Sequence, residues 1–159
     1  MAPRVDEKDL RILEILEKDA RAPWRRIAKE LGVSEATVYL RIKKLTEAGI
    51  LKGFTVKVDH AALGLPAAAF LLVRAEAKSI PRVRSQLTRV RYVSEVYEVS
   101  GQYHFLVKVT TPSLDDISRT SEEIMGLDGV VEVLTFTVLR VVKQGAGIVE
   151  DYIRWTREG

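Results

Sequence analysis

Cysteine is absent from the 159 residues, which excludes a disulfide framework, a thiolate metal site and a cysteine nucleophile. Asparagine is absent too, and glutamine occurs only at 86, 102 and 144. With charged residues making up 30% of the chain, the loss of these heat-labile side chains predicts a heat-adapted protein. The two histidines, His60 and His104, fall in different parts of the chain, so neither a two-histidine metal site nor a histidine-based catalytic pair is expected. There is no Gly-rich phosphate loop, nucleophile elbow or convergent carboxylate pair. Asp115-Asp116 and Glu122-Glu123 open a helix and line its outer face, where dipole and solvation effects account for them. An enzyme reading therefore has no residues to stand on, and no cofactor or metal is expected. No apolar run approaches the roughly 18 residues that span a bilayer, and MAPRVDEKD carries charges where a signal peptide would need its apolar core. The expectation is a cytoplasmic protein with no membrane partner.

What is present is unevenly distributed. The formal excess of +3 lies wholly in residues 1–60, which hold 13 basic against 10 acidic side chains, while residues 61–159 hold 12 of each. Within 21–57 the imbalance sharpens to nine basic residues against three acidic ones, Glu30, Glu35 and Glu47. A local excess of six charges on one small module is an electrostatic footprint for a polyanion.

That module carries a helical pair. In PWRRIAKELGVSEATVYLRIKKLTEAG, Ile27, Ala28 and Leu31 recur at one-turn spacing, Gly32 ends the helix, and Ser34 can accept the free amides that open the next. Val38, Ile42 and Leu45 form the buried stripe of the second helix. Ala36, Thr37, Leu40, Arg41, Lys43 and Lys44 face away from it, with Tyr39 on the flank. A helix presented so can enter the major groove of duplex DNA, its first turns reaching base edges and its cations reaching phosphates. Ser34, Glu35, Ala36, Thr37 and Leu40 would then lie nearest the bases, and Arg41, Lys43 and Lys44 would supply phosphate and guanine contacts. Arg25 and Arg26, at the start of the preceding helix, are placed for phosphates, although a solvated helix face has the same composition. Leu40 is either a contact for a thymine methyl or a scattered surface residue. Trp24 is expected to pack as a lid on the core.

A first helix, from about Asp6 to Asp19, completes a three-helix unit; Asp6 caps it, and Leu10, Leu13 and Leu16 mark its apolar face, backed by Ile12 and Ile15. After Gly49, the pattern of Ile50, Leu51, Phe54, Val56 and Val58 reads as a short connecting strand or ribbon, the wing of a winged helix-turn-helix. Residues 1–60 thus form a first domain and 61–66 a linker. Residues 67–143 repeat one pattern twice: an apolar strand (Ala67–Ala77, then Tyr103–Thr111), a helix (Ile80, Val83, Leu87, Val90; then Leu114, Ile117, Ser121, Ile124), and a strand (around Val93–Val96, then around Val130–Val133). Two such halves make a ferredoxin-like βαββαβ sheet with both helices on one face, so the fold class is α+β. The last strand is apolar on both sides, Val131-Val133 and Leu134-Phe136-Val138, and the uncovered sheet face calls for a second subunit. Residues 144–159 form a tail, with Ile148, Val149, Tyr152 and Ile153 on one side of a short helix.

Asp6, Asp9, Ile12 and Leu13, then Asp19-Ala20-Arg21, the Ile-Ala-x-x-Leu-Gly-Val-Ser turn from Ile27 to Ser34, Arg41-Ile42 with Leu45, Gly49-Ile50 and Gly53-Phe54 form a combined pattern. It resembles the Lrp/AsnC family, the feast/famine transcriptional regulators, over about residues 5–143. The resemblance implies a homodimer, extended in many members to a tetramer or octamer around which DNA bends, and an amino-acid-type effector bound between dimers. The family's Gly-x-Tyr-Asp stretch of the effector region corresponds to Gly101-Gln102-Tyr103-His104, so the acid is replaced by an imidazole, which suits an ammonium group poorly. Thr135 and Thr137 match the stretch that completes the family's pocket. The reading is a sequence-specific DNA-binding regulator. Its rivals are an architectural DNA-wrapping protein and a metabolite-binding enzyme subunit.

Overall fold

In the computed structural model the described residues are 5–145 and 147–158, and they divide into two compact units. One unit contains the chain up to Lys57 together with the chain from Lys143 onward; the other spans Val58–Val142. The tail therefore belongs with the N-terminal module.

Helix α1 (Glu7–Lys18) starts at a capping box: Asp6 accepts the Asp9 amide at 2.9 Å, and Asp9 accepts the Asp6 amide at 3.1 Å. Helix α2 (Trp24–Leu31) ends at Gly32, whose left-handed φ of +62° lets the chain reverse at once. Helix α3 (Glu35–Glu47) is capped by Ser34, which accepts the Thr37 amide at 3.1 Å. Ile12, Ile15, Leu16, Ala22, Ile27, Ala28, Val38, Ile42 and Leu45 form the core.

Three expectations for α1, α2 and the segment after α3 need correction. The inward stripe of α1 is Ile12, Ile15 and Leu16, whereas Leu10 and Leu13 are only partly buried; the helix is turned because two of its carboxylates, Asp9 and Glu14, go inward against basic partners. Trp24 is no lid: it is 42% exposed and leans on Tyr39, ring centroids 5.4 Å apart. Residues 52–58 are exposed and form no strand. Among the described residues no strand pairs with them, and an unpaired strand is marginal in water.

Helix α6 (Ile148–Glu158) packs on α1. Val149, Glu150 and Ile153 are its half-buried positions, while Ile148 and Tyr152, expected on the same apolar side, are 74% and 49% exposed. An alternating series of ion pairs crosses the contact: Glu30 to Arg11 (2.5 Å), Arg11 to Glu14 (2.5 Å), Glu14 to Lys18 (2.8 Å), Lys18 to Glu150 (3.5 Å) and Glu150 to Arg154 (2.6 Å). Each inner member has two opposite neighbours, the arrangement in which surface charges contribute most.

The other unit is the expected βαββαβ. Strands β1 (Ala67–Ala75), β2 (Val93–Glu98), β3 (Phe105–Thr111) and β4 (Val130–Thr137) form an antiparallel sheet in the order β2-β3-β1-β4. Helices α4 (Ile80–Leu87) and α5 (Leu114–Met125) share one face: Val83, Leu87, Ile117 and Ile124 join Ala69, Leu71, Val73, Phe105, Val107 and Val109 in one core. Gly129, at φ +95°, makes this packing feasible, since a Cβ there would meet the Ser79 Cβ at 2.3 Å.

Register identifies the opposite face. Tyr97 lies opposite Leu106, Leu106 opposite Leu72 and Leu72 opposite Leu134, an apolar row across all four strands, and Phe70 lies opposite Phe136. Tyr97, Leu134 and Phe136 are 49%, 41% and 51% exposed, and no helix of this unit covers them. The Arg74–Glu132 and Lys108–Glu95 ion pairs, both 2.8 Å, flank the row.

Candidate nucleic-acid interface

The Gly32 reversal and the Ser34 cap join the end of α2 directly to the start of α3, and the buried stripe of α3 fixes which residues it offers to solvent. Ser34, Glu35, Ala36, Tyr39, Leu40, Lys43 and Lys44 are exposed, with Leu40 at 61%. Thr37 is half-buried, and its hydroxyl meets the Ser34 hydroxyl at 2.8 Å, so both are engaged in starting the helix. Arg25 and Arg26 are exposed on the first turn of α2, Arg26 with Asp19 at 3.7 Å. Lys43 has Glu47 at 3.8 Å along the helix. This is an exposed cationic surface with a short polar start, suited to a negatively charged groove.

Arg41 departs from the expected outward position. Its side chain is only 24% exposed and turns toward α1, where Nη1 donates to Asp6 Oδ1 at 2.8 Å, Asp6 Oδ2 at 2.7 Å and Asp9 Oδ1 at 2.7 Å. Asp9 is fully buried, and Lys44 Nζ stands 3.9 Å from its other oxygen. Partial burial raises the Asp6 pKa, but the Arg41 hydrogen bond and the Asp9 amide outweigh it and hold the carboxyl below its ordinary value. The same bonds to Asp6 and Asp9 raise the guanidinium further above its usual range. Sequence reasoning missed this triad. Its signal was available, an acid pair on the first turn of one helix and an arginine at the edge of another's outward face.

The residues expected at an effector site lie apart within one chain. Gly101, Tyr103 and His104 sit together on the β2–β3 connection: the Tyr103 hydroxyl donates to Glu132 at 3.4 Å, and His104 Nδ1 accepts the Ala75 amide at 3.1 Å. That bond leaves Nε2 to carry the proton of the neutral ring. Thr135 and Thr137 face Leu71 and Ala69 further along β4, and the Thr135 hydroxyl is taken up by Ser121 of α5 at 2.9 Å. His104 lies one residue beyond the Phe105–Val73 pair, level with Arg74 and its partner Glu132, so Thr137, further along β4, is displaced by roughly 16 Å in the strand direction. Among the described residues, no group of three or more His, Asp or Glu side chains could hold a metal ion.

Residues 5–46 match the AsnC-type helix-turn-helix domain, and residues 68–148 match the Lrp/AsnC ligand binding domain. The chain belongs to the Lrp/AsnC family. It is similar to the HTH-type transcriptional regulator FL11 of Pyrococcus abyssi, 38% identical over 91% of this chain and 95% of the relative. It is also similar to the HTH-type transcriptional regulator LysM of Saccharolobus solfataricus, 39% identical over 86% of this chain and 94% of the relative. Among solved structures, Escherichia coli AsnC superimposes with a TM-score of 0.85 at 29% identity, covering 91% of this chain and 98% of that one. This Lrp/AsnC chain is thus a transcriptional regulator with a DNA-binding helix-turn-helix unit and a ligand-binding domain. Among the described residues, no helix is long and apolar enough to cross a membrane.

Proposed function

We propose that the chain is a sequence-specific regulator that acts in the cytoplasm as a dimer or a larger closed assembly, two copies meeting through the uncovered sheet faces. The observation that carries this reading is the pairing of two unsatisfied surfaces in one molecule. One is the cationic face of α2 and α3; the other is the apolar row Tyr97-Leu106-Leu72-Leu134 with Phe70 and Phe136. Arg25, Arg26, Lys43 and Lys44 contact phosphates, while Ser34, Glu35, Ala36, Thr37 and Leu40 lie nearest the base edges. In a twofold assembly the two α3 helices read half-sites about 34 to 36 Å apart, or a multiple of that spacing.

An amino-acid-type metabolite is proposed as effector. Because Gly101, Tyr103 and His104 do not converge with Thr135 and Thr137 inside one chain, the pocket is completed between subunits. Footprinting on the DNA upstream of the chain's own gene, against bulk competitor, tests the regulator reading: protection of a discrete palindromic site is expected, and protection that dissolves at equal competitor would leave only an architectural role. Calorimetry with each of the twenty amino acids tests the effector.

A further inference from the structure

Arg41 is bound on the side of α3 that meets α1, and its two carboxylate partners are the two halves of the α1 capping box. Asp9 is completely buried, so a guanidinium that swung away to a phosphate would leave that carboxylate with the Asp6 amide and only the more distant Lys44 ammonium, at 3.9 Å, as partners, a costly arrangement. The inner end of the guanidinium is also sequestered, since Nε is buried and makes no hydrogen bond. From this geometry we infer that Arg41 is a positioning residue: it docks the second turn of α3 onto the first turn of α1 and so sets the angle at which α3 presents Ser34–Leu40 to the duplex. It does not itself contact DNA.

This inference deepens the DNA-reading proposal and rests on it. On each helix a rigid element is engaged: the carboxylates are fixed by backbone amides at 2.9 and 3.1 Å, and Arg41 lies one residue from Ile42 in the core. A shift of the guanidinium is therefore a shift of the helix. All three bonds come from the single Nη1, so lysine would keep the charge but not the weakly hydrated, rigid planar head that reaches this half-buried position, and it replaces arginine only in part. Meanwhile Lys43 and Lys44, both more than half exposed, stay on the outward surface.

The opposite possibility, a DNA-contacting arginine held in reserve by two competing acids, differs in sign, and that makes the test decisive. The full chain is mixed with a duplex selected from a random pool by the protein itself, and with a scrambled duplex, at several salt concentrations well below the melting temperature. Asp6→Asn keeps a good helix cap while weakening the docking. It is expected to loosen the selected duplex about three- to tenfold, to shrink the selected-to-scrambled ratio, and to leave the salt slope unchanged. Arg41→Gln goes further in the same direction, Arg41→Lys falls between, and Asp6→Asn adds nothing on top of Arg41→Gln. Tighter binding by Asp6→Asn, or a salt slope flattened by about one unit in Arg41→Gln, would overturn the inference by showing a phosphate contact. Melting temperatures that fall while affinity and ratio stay at parental values would overturn it by showing a structural tie alone. If Arg41→Gln fails to fold, Asp6→Asn decides by itself. Failure of the parent chain to retard either duplex in low salt would instead refute the DNA-reading proposal.

Discussion

Truncating Phe136 to alanine should dissociate the assembly without unfolding the subunit. A phenylalanine carries roughly 200 Å² of surface, and Phe136 is 51% exposed, so about 100 Å² of ring on each copy awaits cover. At about 25 cal/mol per Å² this area contributes about 2 kcal/mol per copy after allowing for the methyl group left behind. A twofold contact counts the residue twice, giving about 4 kcal/mol and weakening the dimer roughly a thousandfold. The single subunit suffers less than from a core truncation, because half of the ring is already in water. Sedimentation velocity across a concentration series reads the shift, with far-UV circular dichroism as the folding control. Leu114→Ala, a 63% exposed position on α5, which packs on the opposite face of the sheet, should leave the series unchanged. The reasoning fails if Phe136→Ala sediments like its parent at every concentration, or if Leu114→Ala does equal harm.

Lys43→Ala and Lys44→Ala should each weaken binding to all duplexes about equally and flatten the dependence of log affinity on log salt by about one unit; a loss confined to one sequence would reassign the residue to base reading. Glu14 is held below the ordinary carboxylate range by its hydrogen bonds to Lys18 and Arg11, so its contribution is fully present near neutral pH and disappears as pH falls through that lowered value. The stability gap between the parent and Glu14→Gln, followed by urea unfolding, should therefore close on acidification, and a gap that widens would contradict the sign. His104→Asp, which restores an acceptor for an ammonium group, should strengthen amino-acid binding in calorimetry; an unchanged isotherm for all twenty would remove this position from the effector site.

The helix-turn-helix was readable because its signals are local: Gly32 needs its left-handed turn, Ser34 has a free amide three residues on, and Val38, Ile42 and Leu45 repeat at the helical period. The βαββαβ unit was readable because alternation on β3 is clean, with Phe105, Val107, Val109 and Thr111 inward. Hydrophobic periodicity failed where charge goes inward. Asp9 and Glu14 take inward positions on α1 through partners on other turns or other helices, and no apolar count along the helix can register them. The same blindness put Arg41 on the outward face. Residues 50–58 misled for another reason: β-branched apolar residues report that a segment suits a ladder, but not that a neighbouring strand exists. The amphipathic nature of α6 was visible, its docking on α1 was not, because an ion-pair series linking Glu30 to Arg154 is a property of three helices together.

A reading unit made from both ends of the polypeptide cannot be lifted out as one uninterrupted segment. A gene cut after residue 57 would encode the three helices without the wall that α6 adds, whereas transplanting the intact unit onto another oligomer requires residues 143–158 to travel with it. Fusing that stretch ahead of Val5 through a short linker would supply all four helices from one permuted insert.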